Sequence, residues 1–224
     1  MSKASLCCQS VAKVHSPFAS NTFEFRVEDQ RFHVHLELLE RHSKPLYTLA
    51  TVDMKEKEQG YAILQGVNIG TISRFCEWVY TGSYSLPDPE IETTMKDGKE
   101  SKRIIQTAMA IALVELYVFA ESRDIQALKT GALDRLIKEL LQAQHYLLMP
   151  RSFDISQVLK SIYSHTTRAE GEELEPLRAF AMRFCGIFSL DSLVKDDGLK
   201  EVLRTSDVDL LTDFMCMLGK KNFG

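Results

Sequence analysis

Cysteine is scarce in this chain and poorly placed for its usual structural roles. Cys7, Cys8, Cys76, Cys185 and Cys216 are odd in number and include no CxxC pair. Zinc sites need closely spaced ligand pairs, and disulfide scaffolds need a dense, even set. A reducing compartment is therefore expected, cytoplasm, nucleus or both. Long hydrophobic runs are also missing. The longest, near Met109 to Leu116, falls far short of the roughly 20 apolar residues that span a bilayer. The N-terminus has no apolar stretch of the kind a signal peptide carries, so a soluble intracellular chain with no membrane partner is expected. The Cys7-Cys8 pair lacks the second membrane signal that stable lipid anchoring takes, and reads as part of a free tail. Basic clusters are absent: 27 Lys and Arg are scattered among 31 Asp and Glu, for a net charge of −4, which argues against a nucleic-acid partner.

Catalytic signatures are missing as well. There is no GxGxxG, P-loop, GxSxG or HExxH. Gly66-Val67-Asn68-Ile69-Gly70 lacks the third glycine and the β-α-β context of a dinucleotide site. No enzyme activity and no cofactor are expected.

What the chain does have is a series of clear periodicities. Residues 1–20 are rich in Ser, Ala and Lys without a period and read as a mobile tail. Phe23, Phe25 and Val27 then alternate with Glu24 and Arg26, and Phe32, Val34 and Leu36 alternate with His33 and His35 across a polar Glu28-Asp29-Gln30 turn. That pattern predicts a β-hairpin. Leu38, Leu39, Leu46 and Leu49 follow at helical spacing, interrupted by Pro45, so Ser43 is expected to cap a new helix starting at Lys44 or Pro45. After a charged loop, Asp53 to Gly60, the run Tyr61-Ala62-Ile63-Leu64 predicts a third strand. Asn68 is expected to cap a helix carrying Ile69, Ile72, Phe75, Cys76 and Val79, with Gly82 ending it.

Residues 85–103 carry Pro87, Pro89, Gly98 and many charges, and read as a long mobile loop. Met109, Leu113, Leu116, Tyr117 and Ala120 define one face of the next helix. Asp124 is expected to cap another bearing Ile125, Leu128, Ala132, Leu136 and Leu140. Met149-Pro150 marks a boundary, followed by three amphipathic helices. Their apolar residues are Ile155, Val158, Leu159, Ile162 and Tyr163, capped by Ser152 or Asp154; then Leu174, Leu177, Phe180, Ala181 and Phe184; then Val208, Leu211, Phe214, Met215 and Leu218. The fold class implied is α+β, a small sheet covered by helices with an all-helical end.

Few residues suggest site chemistry. His33 and His35 share a strand face roughly 7 Å apart, with His42 and Cys76 the only further ligand candidates, which is the basis of a remote metal-dependent enzyme reading. Two polar positions on an outer strand face explain them better. Glu172, Glu173 and Glu175 read as a solvated helix start favoured by the helix dipole. Trp78 reads as a packing residue of an apolar helix.

In combination these residues resemble a known family. Phe32-His33-Val34-His35, with Leu39 four residues and Ser43 eight residues beyond His35, is similar to the BTB/POZ pattern. Phe75-Cys76-Glu77-Trp78-Val79-Tyr80-Thr81-Gly82-Ser83-Tyr84 resembles that family's tyrosine-threonine-glycine helix end, and Leu116-Tyr117-Val118-Phe119-Ala120-Glu121 followed by Ile125 and Leu128-Lys129 resembles its next helix pair. The likeness covers about residues 22–142 and is nearest the filamentous-fungal type. It departs from the family at the opening of the first strand, where Asn21-Thr22 stands in place of the usual Asp.

The resemblance implies a BTB/POZ domain over residues 21–145 with a mobile insert at about 85–103, and a helical BACK-like extension over 150–224. It implies a protein-interaction module that self-associates, as a homodimer, or serves as a substrate adaptor on the cullin scaffold of a ubiquitin ligase. The alternative is an oligomerisation module of a nuclear, transcription-related complex. Met54-Lys55-Glu56, four residues before Tyr61, matches the hydrophobic-x-Glu motif of cullin-binding members. Met54, Glu56, Phe75, Trp78 and Tyr80 are the expected partner-binding residues. Phe32, His35, Leu39, Ser43, Tyr80 and Gly82 are the expected structural motif, with His35 at the sheet–helix junction.

Overall fold

The structure, a computed structural model, describes residues 16–52, 55–96, 99–105, 107–145, 154–167, 174–187, 197–205 and 208–222. Its class is mixed α+β. The chain divides into two compact units between Leu64 and Gln65.

The first unit begins with a 3-10 turn, Pro17–Ala19, and two strands, β1 (Thr22–Val27) and β2 (Gln30–His35). They pair antiparallel in the register Phe23↔Val34 and Phe25↔Phe32. The alternation read from the sequence is the burial pattern of β1: Phe23, Phe25 and Val27 are buried while Glu24 and Arg26 are half-exposed. Helices α1 (Leu36–His42), α2 (Lys44–Thr51) and α3 (Lys55–Gln59) then carry the chain to β3 (Tyr61–Ile63), which lies parallel to β1. The strand order is β2-β1-β3, because a parallel partner can be reached only through a crossover.

Ser43 is the joint of that crossover. Its N–H donates to Leu39 O at 2.8 Å, closing α1, and its Oγ accepts from Leu46 N at 3.3 Å, opening α2. Pro45 sits in the first turn of α2, where its missing N–H leaves nothing unpaired. Leu39 and Leu46, on either side of the joint, are fully buried.

The second unit opens with α4 (Ile69–Thr81). Asn68 Oδ1 accepts from Thr71 N at 2.7 Å, and Gly82 closes the helix with φ 74 and an N–H donated to Trp78 O at 2.8 Å. Both caps match the sequence pattern. The 85–103 stretch differs from expectation. It contains a two-stranded antiparallel hairpin, β4 (Glu90–Lys96) with β5 (Lys99–Ile105), in the register Thr93↔Lys102. These strands pair only with each other among the described residues.

Helix α5 (Thr107–Ser122) buries ten residues rather than a single stripe, the pattern of a helix enclosed on all sides. Helix α6 (Gln126–His145), α4 and α7 (Ile155–His165) pack against it. Asp124 does not cap α6. It takes φ 52 and ends α5, with Asp124 N donating to Glu121 O at 3.2 Å and Ile125 N to Ala120 O at 2.8 Å. That bond pair is a Schellman closure, in which the left-handed position suits Asp better than most residues.

Asp154 caps α7 as expected, accepting from Ser156 N at 3.0 Å and Gln157 N at 3.3 Å; Ser152 lies outside the described residues. Helix α8 (Pro176–Ile187) starts three residues later than Glu173. Helix α9 (Asp197–Thr205) has no counterpart in the sequence pattern and packs on α7. The last helix, α10 (Val208–Asn222), packs on α8 through a different face from the one expected. Leu210, Asp213 and Phe214 are buried, while Val208, Leu211 and Met215 are 78%, 47% and 60% exposed.

Candidate interaction surfaces

Met54 lies outside the described residues. Glu56 is half-exposed on α3, a short helix where a loop was expected. Its carbonyl accepts from Gly60 N at 3.0 Å, and Gly60 has φ 77, so the chain turns sharply into β3. Gln59 Nε2 donates to Tyr61 O at 2.8 Å and fixes the same corner.

The outward face of the three-stranded sheet holds a set of contacts that sequence reasoning did not pick out. Glu24 is opposite His33 on β2 and beside Tyr61 on β3. Its carboxylate takes Arg26 Nε at 2.5 Å and faces His33 Nε2 at 3.3 Å. The hydrogen bond from Arg26 is the main cause holding the Glu24 carboxyl below its ordinary range. The Arg26 guanidinium lies over the Tyr61 ring, 3.4 Å from its centroid, where the ring's negative face attracts it. Ile63, beside Arg26 in the register, is 61% exposed. This alternation of charge and exposed apolar surface was visible in the sequence only as the solvent side of a strand.

His35 ends β2 and precedes α1, at the junction, with its ring edge-on to Phe18 at 5.8 Å between centroids. Leu36 N donates to Asn21 O at 2.8 Å and Glu37 N to Ser20 Oγ at 3.3 Å, tying the start of α1 to the residues that lead into β1. Phe32 is half-buried on the inward side of β2. His33 and His35 do not gather a third ligand: no group of three or more His, Cys, Asp or Glu with metal-binding placement occurs among the described residues.

On α4 the expected contact residues divide. Phe75 is fully buried, its ring 5.2 Å from that of Phe119 on α5. It is a packing residue, because an aromatic enclosed this way has no surface to offer. Trp78 and Tyr80 are half-buried and keep part of their surface open. After Gly82 the chain folds back on the same helix. Glu77 accepts from Ser85 N at 2.7 Å and from Ser85 Oγ at 2.9 Å, and Arg74 Nε donates to Ser85 O at 3.1 Å. Tyr84, the last residue of the motif, is buried, with its carbonyl taken by Arg135 Nη1 of α6 at 2.7 Å and the same guanidinium over its ring at 4.9 Å.

Further along the second unit, a half-open cleft of about 180 Å³ is lined by Tyr117, Val118, Glu121, Ser122, His165, Thr166, Thr167 and Glu175. Glu175 is more than a solvated charge. It accepts the Tyr117 hydroxyl at 2.5 Å and both Leu177 N and Arg178 N at 3.0 Å, so it caps α8 and pins it to α5. Burial, reinforced by this hydrogen bond to a carboxylate, pushes the Tyr117 phenol above its ordinary range. Lys129 pairs with Glu121 at the end of α5 and lies 5.4 Å from the centroid of the Tyr117 ring. These contacts satisfy the cleft's carboxylates from within the chain, and His165 on its lining has Nδ1 2.9 Å from Ser164 Oγ and 2.8 Å from Ser161 O.

No family model matches the chain, and no curated protein matches it. Among the described residues no helix is long and apolar enough to cross a membrane.

Proposed function

We propose that this chain is a protein-interaction module of the BTB/POZ kind. In this reading the domain occupies residues 21–145, a BACK-like helical extension occupies 150–224, and the module self-associates or serves as an adaptor on a cullin scaffold. The observation that carries it is the Ser43 joint. The spacing from His35 to Leu39 to Ser43 supports the resemblance because each residue has its own structural role. His35 stands at the strand–helix junction, Leu39 fills the buried helix face, and Ser43 caps two helices. The α4 ending at Gly82, with Tyr84 held by Arg135, supports it in the same way.

Glu56 of α3, Trp78 and Tyr80 carry partner contact in this proposal, together with Met54. A Met side chain fills an apolar pocket on a partner adaptably, while a neighbouring carboxylate takes a hydrogen bond at the rim. The test is direct binding of the purified chain to a cullin, wild type against the Met54→Ala/Glu56→Ala double variant. Binding that the variant loses supports the adaptor role. No binding by wild type removes it and leaves self-association as the function.

A further inference from the structure

The hairpin β4–β5 has two open edges, and they are unlike. Among the described residues each strand pairs only with the other, and neither packs extensively against another element. A two-stranded hairpin standing alone is marginal in water, whereas three or more strands hold together. The register fixes which backbone groups lie on the open edges. Lys96 and Lys99 flank a two-residue connection and form a hydrogen-bonded pair, beyond which opposite pairs alternate between bonded and non-bonded. Thr94 with Ser101, Glu92 with Arg103 and Glu90 with Ile105 therefore turn their N–H and C=O groups towards each other. Ile91, Thr93 and Met95 turn theirs to the open edge of β4, and Glu100, Lys102 and Ile104 to that of β5.

We infer that the open edge of β4 pairs antiparallel with β4 of a second copy of the chain, about a two-fold axis between the two Thr93 residues. In that register the whole strand overlaps and every outward backbone group meets another. Thr93 stands opposite Thr93, Ile91 opposite Met95 and Met95 opposite Ile91, and each such pair exchanges two hydrogen bonds. The same register puts Glu90 opposite Lys96 at both ends, so the strand's formal charges are complementary to a second copy of itself. Its edge-facing positions hold neither proline nor charge, the usual guards against such pairing. The other edge is guarded. Pairing β5 with itself centres on Lys102 and sets like charges opposite each other. Pairing β4 with β5 of a second copy is heterologous and leaves an edge open at each end, whereas β4 with β4 closes at two copies. The product is one antiparallel sheet in the order β5-β4-β4-β5, past the size at which a sheet is stable. This inference gives a surface to the self-association proposed above and rests on that reading. It uses none of the residues proposed for cullin contact.

The experiment is sedimentation equilibrium of the full chain up to about 1 mM, the weak end of specific association. The expected result is a mass that rises from monomer and levels at dimer. Thr93→Lys sets like charges on the axis and is expected to hold the chain at monomer while leaving its thermal melt in place. Glu90→Lys is expected to weaken association several-fold, and the exchange Glu90→Lys/Lys96→Glu to restore it. Thr93→Cys reads the register. Opposed Cα atoms of a bonded pair stand about 5.5 Å apart, within the disulfide span of about 4.4–6.8 Å. Added oxidant is therefore expected to join two copies through that position, located by peptide mass. Thr94→Cys, whose counterpart lies diagonally at about 7–8 Å, is expected to stay unlinked. A monomer mass throughout overturns the inference and self-association together, and leaves cullin binding to its own test. A dimer that Thr93→Lys leaves intact, a mass climbing past dimer, or equal linking at the two cysteine positions overturns this inference alone.

Discussion

Tyr163 on α7 donates its hydroxyl to Asp213 Oδ2 on α10 at 2.9 Å, and both side chains are buried. Arg178 of α8, 2% exposed, completes the cluster. It donates to Asp209 Oδ2 and to Thr166 Oγ1, each at 2.9 Å, and to the Thr166 carbonyl. Its guanidinium lies 4.5 Å from the centroid of the Tyr163 ring, and its Nη1 is 3.9 Å from Asp213 Oδ2. Three helices are thus joined through one buried cation.

Removing that cation leaves Asp213 buried without its counter-charge. Arg178→Ala is expected to destabilise the chain by about 3–5 kcal/mol. Tyr163→Phe removes one hydrogen bond to the same carboxylate and is expected to cost about 1–3 kcal/mol. Urea midpoints at unchanged slope are the measurement. A loss under about 1 kcal/mol for Arg178→Ala would show that the cluster is solvated.

Asp154 supplies the pH-dependent contribution. Burial raises its pKa, but hydrogen bonds from Ser156 and Gln157 outweigh burial, and the net direction is down from 3.8. A folded value below the unfolded one means the stabilisation is present above pH 3.8 and lost as pH falls through the lowered folded value. Asp154→Ala is expected to cost about 1 kcal/mol at neutral pH, and the difference from wild type is expected to shrink as pH falls below 3.8. Thermal melts across that range check it.

Backbone conformation makes opposite predictions at two positions. Gly82 has φ 74 and nothing within 4 Å of where a Cβ would stand, so Gly82→Ala meets conformational strain alone, about 1–2 kcal/mol. Asp124 already carries a side chain at φ 52. Asp124→Gly is expected to leave stability level or raise it, while Asp124→Val is expected to lower it, because a β-branched residue tolerates that region worst. Chemical denaturation of the three variants tests both positions.

Thiol reactivity is expected to follow burial. Cys185 is buried and Cys76 half-buried, and burial pushes each thiol up to about 12. Cys216 on α10 is exposed. Since the thiolate is the reactive form, brief alkylation of the native chain is expected to label Cys216 and spare Cys76 and Cys185, read by peptide mass. Labelling of Cys185 at the rate of Cys216 would contradict the packing of α8.

Local signals were the ones the sequence displayed well. The β1–β2 alternation, the Ser43 and Asn68 caps and the Gly82 stop each follow from near neighbours in the chain. The β4–β5 hairpin is hard to read from the sequence because its strands are polar, and so charged a stretch has the composition of a loop. Its signal was Asp97-Gly98 between Thr93-Thr94 and Ile104-Ile105, a dipeptide strongly associated with two-residue hairpin turns; the register closes at Lys96↔Lys99 across it. On α10 a stripe with good helical spacing proved to be the exposed one, because periodicity identifies a face but not which side meets the core. The pairing of Arg178 with Asp209 and Asp213 joins residues far apart in the chain and leaves no local trace. Among the site residues, the caps were visible for the same local reason, whereas the Glu24–Arg26–Tyr61 arrangement depends on the parallel register of β3.

The most direct test of the interaction-module account is the light-scattering mass of the purified chain, alone and mixed with a cullin. The account predicts a mass above monomer for the chain alone, a heteromeric complex in the mixture, or both. A chain that stays strictly monomeric at every concentration and adds nothing to the cullin peak would contradict it.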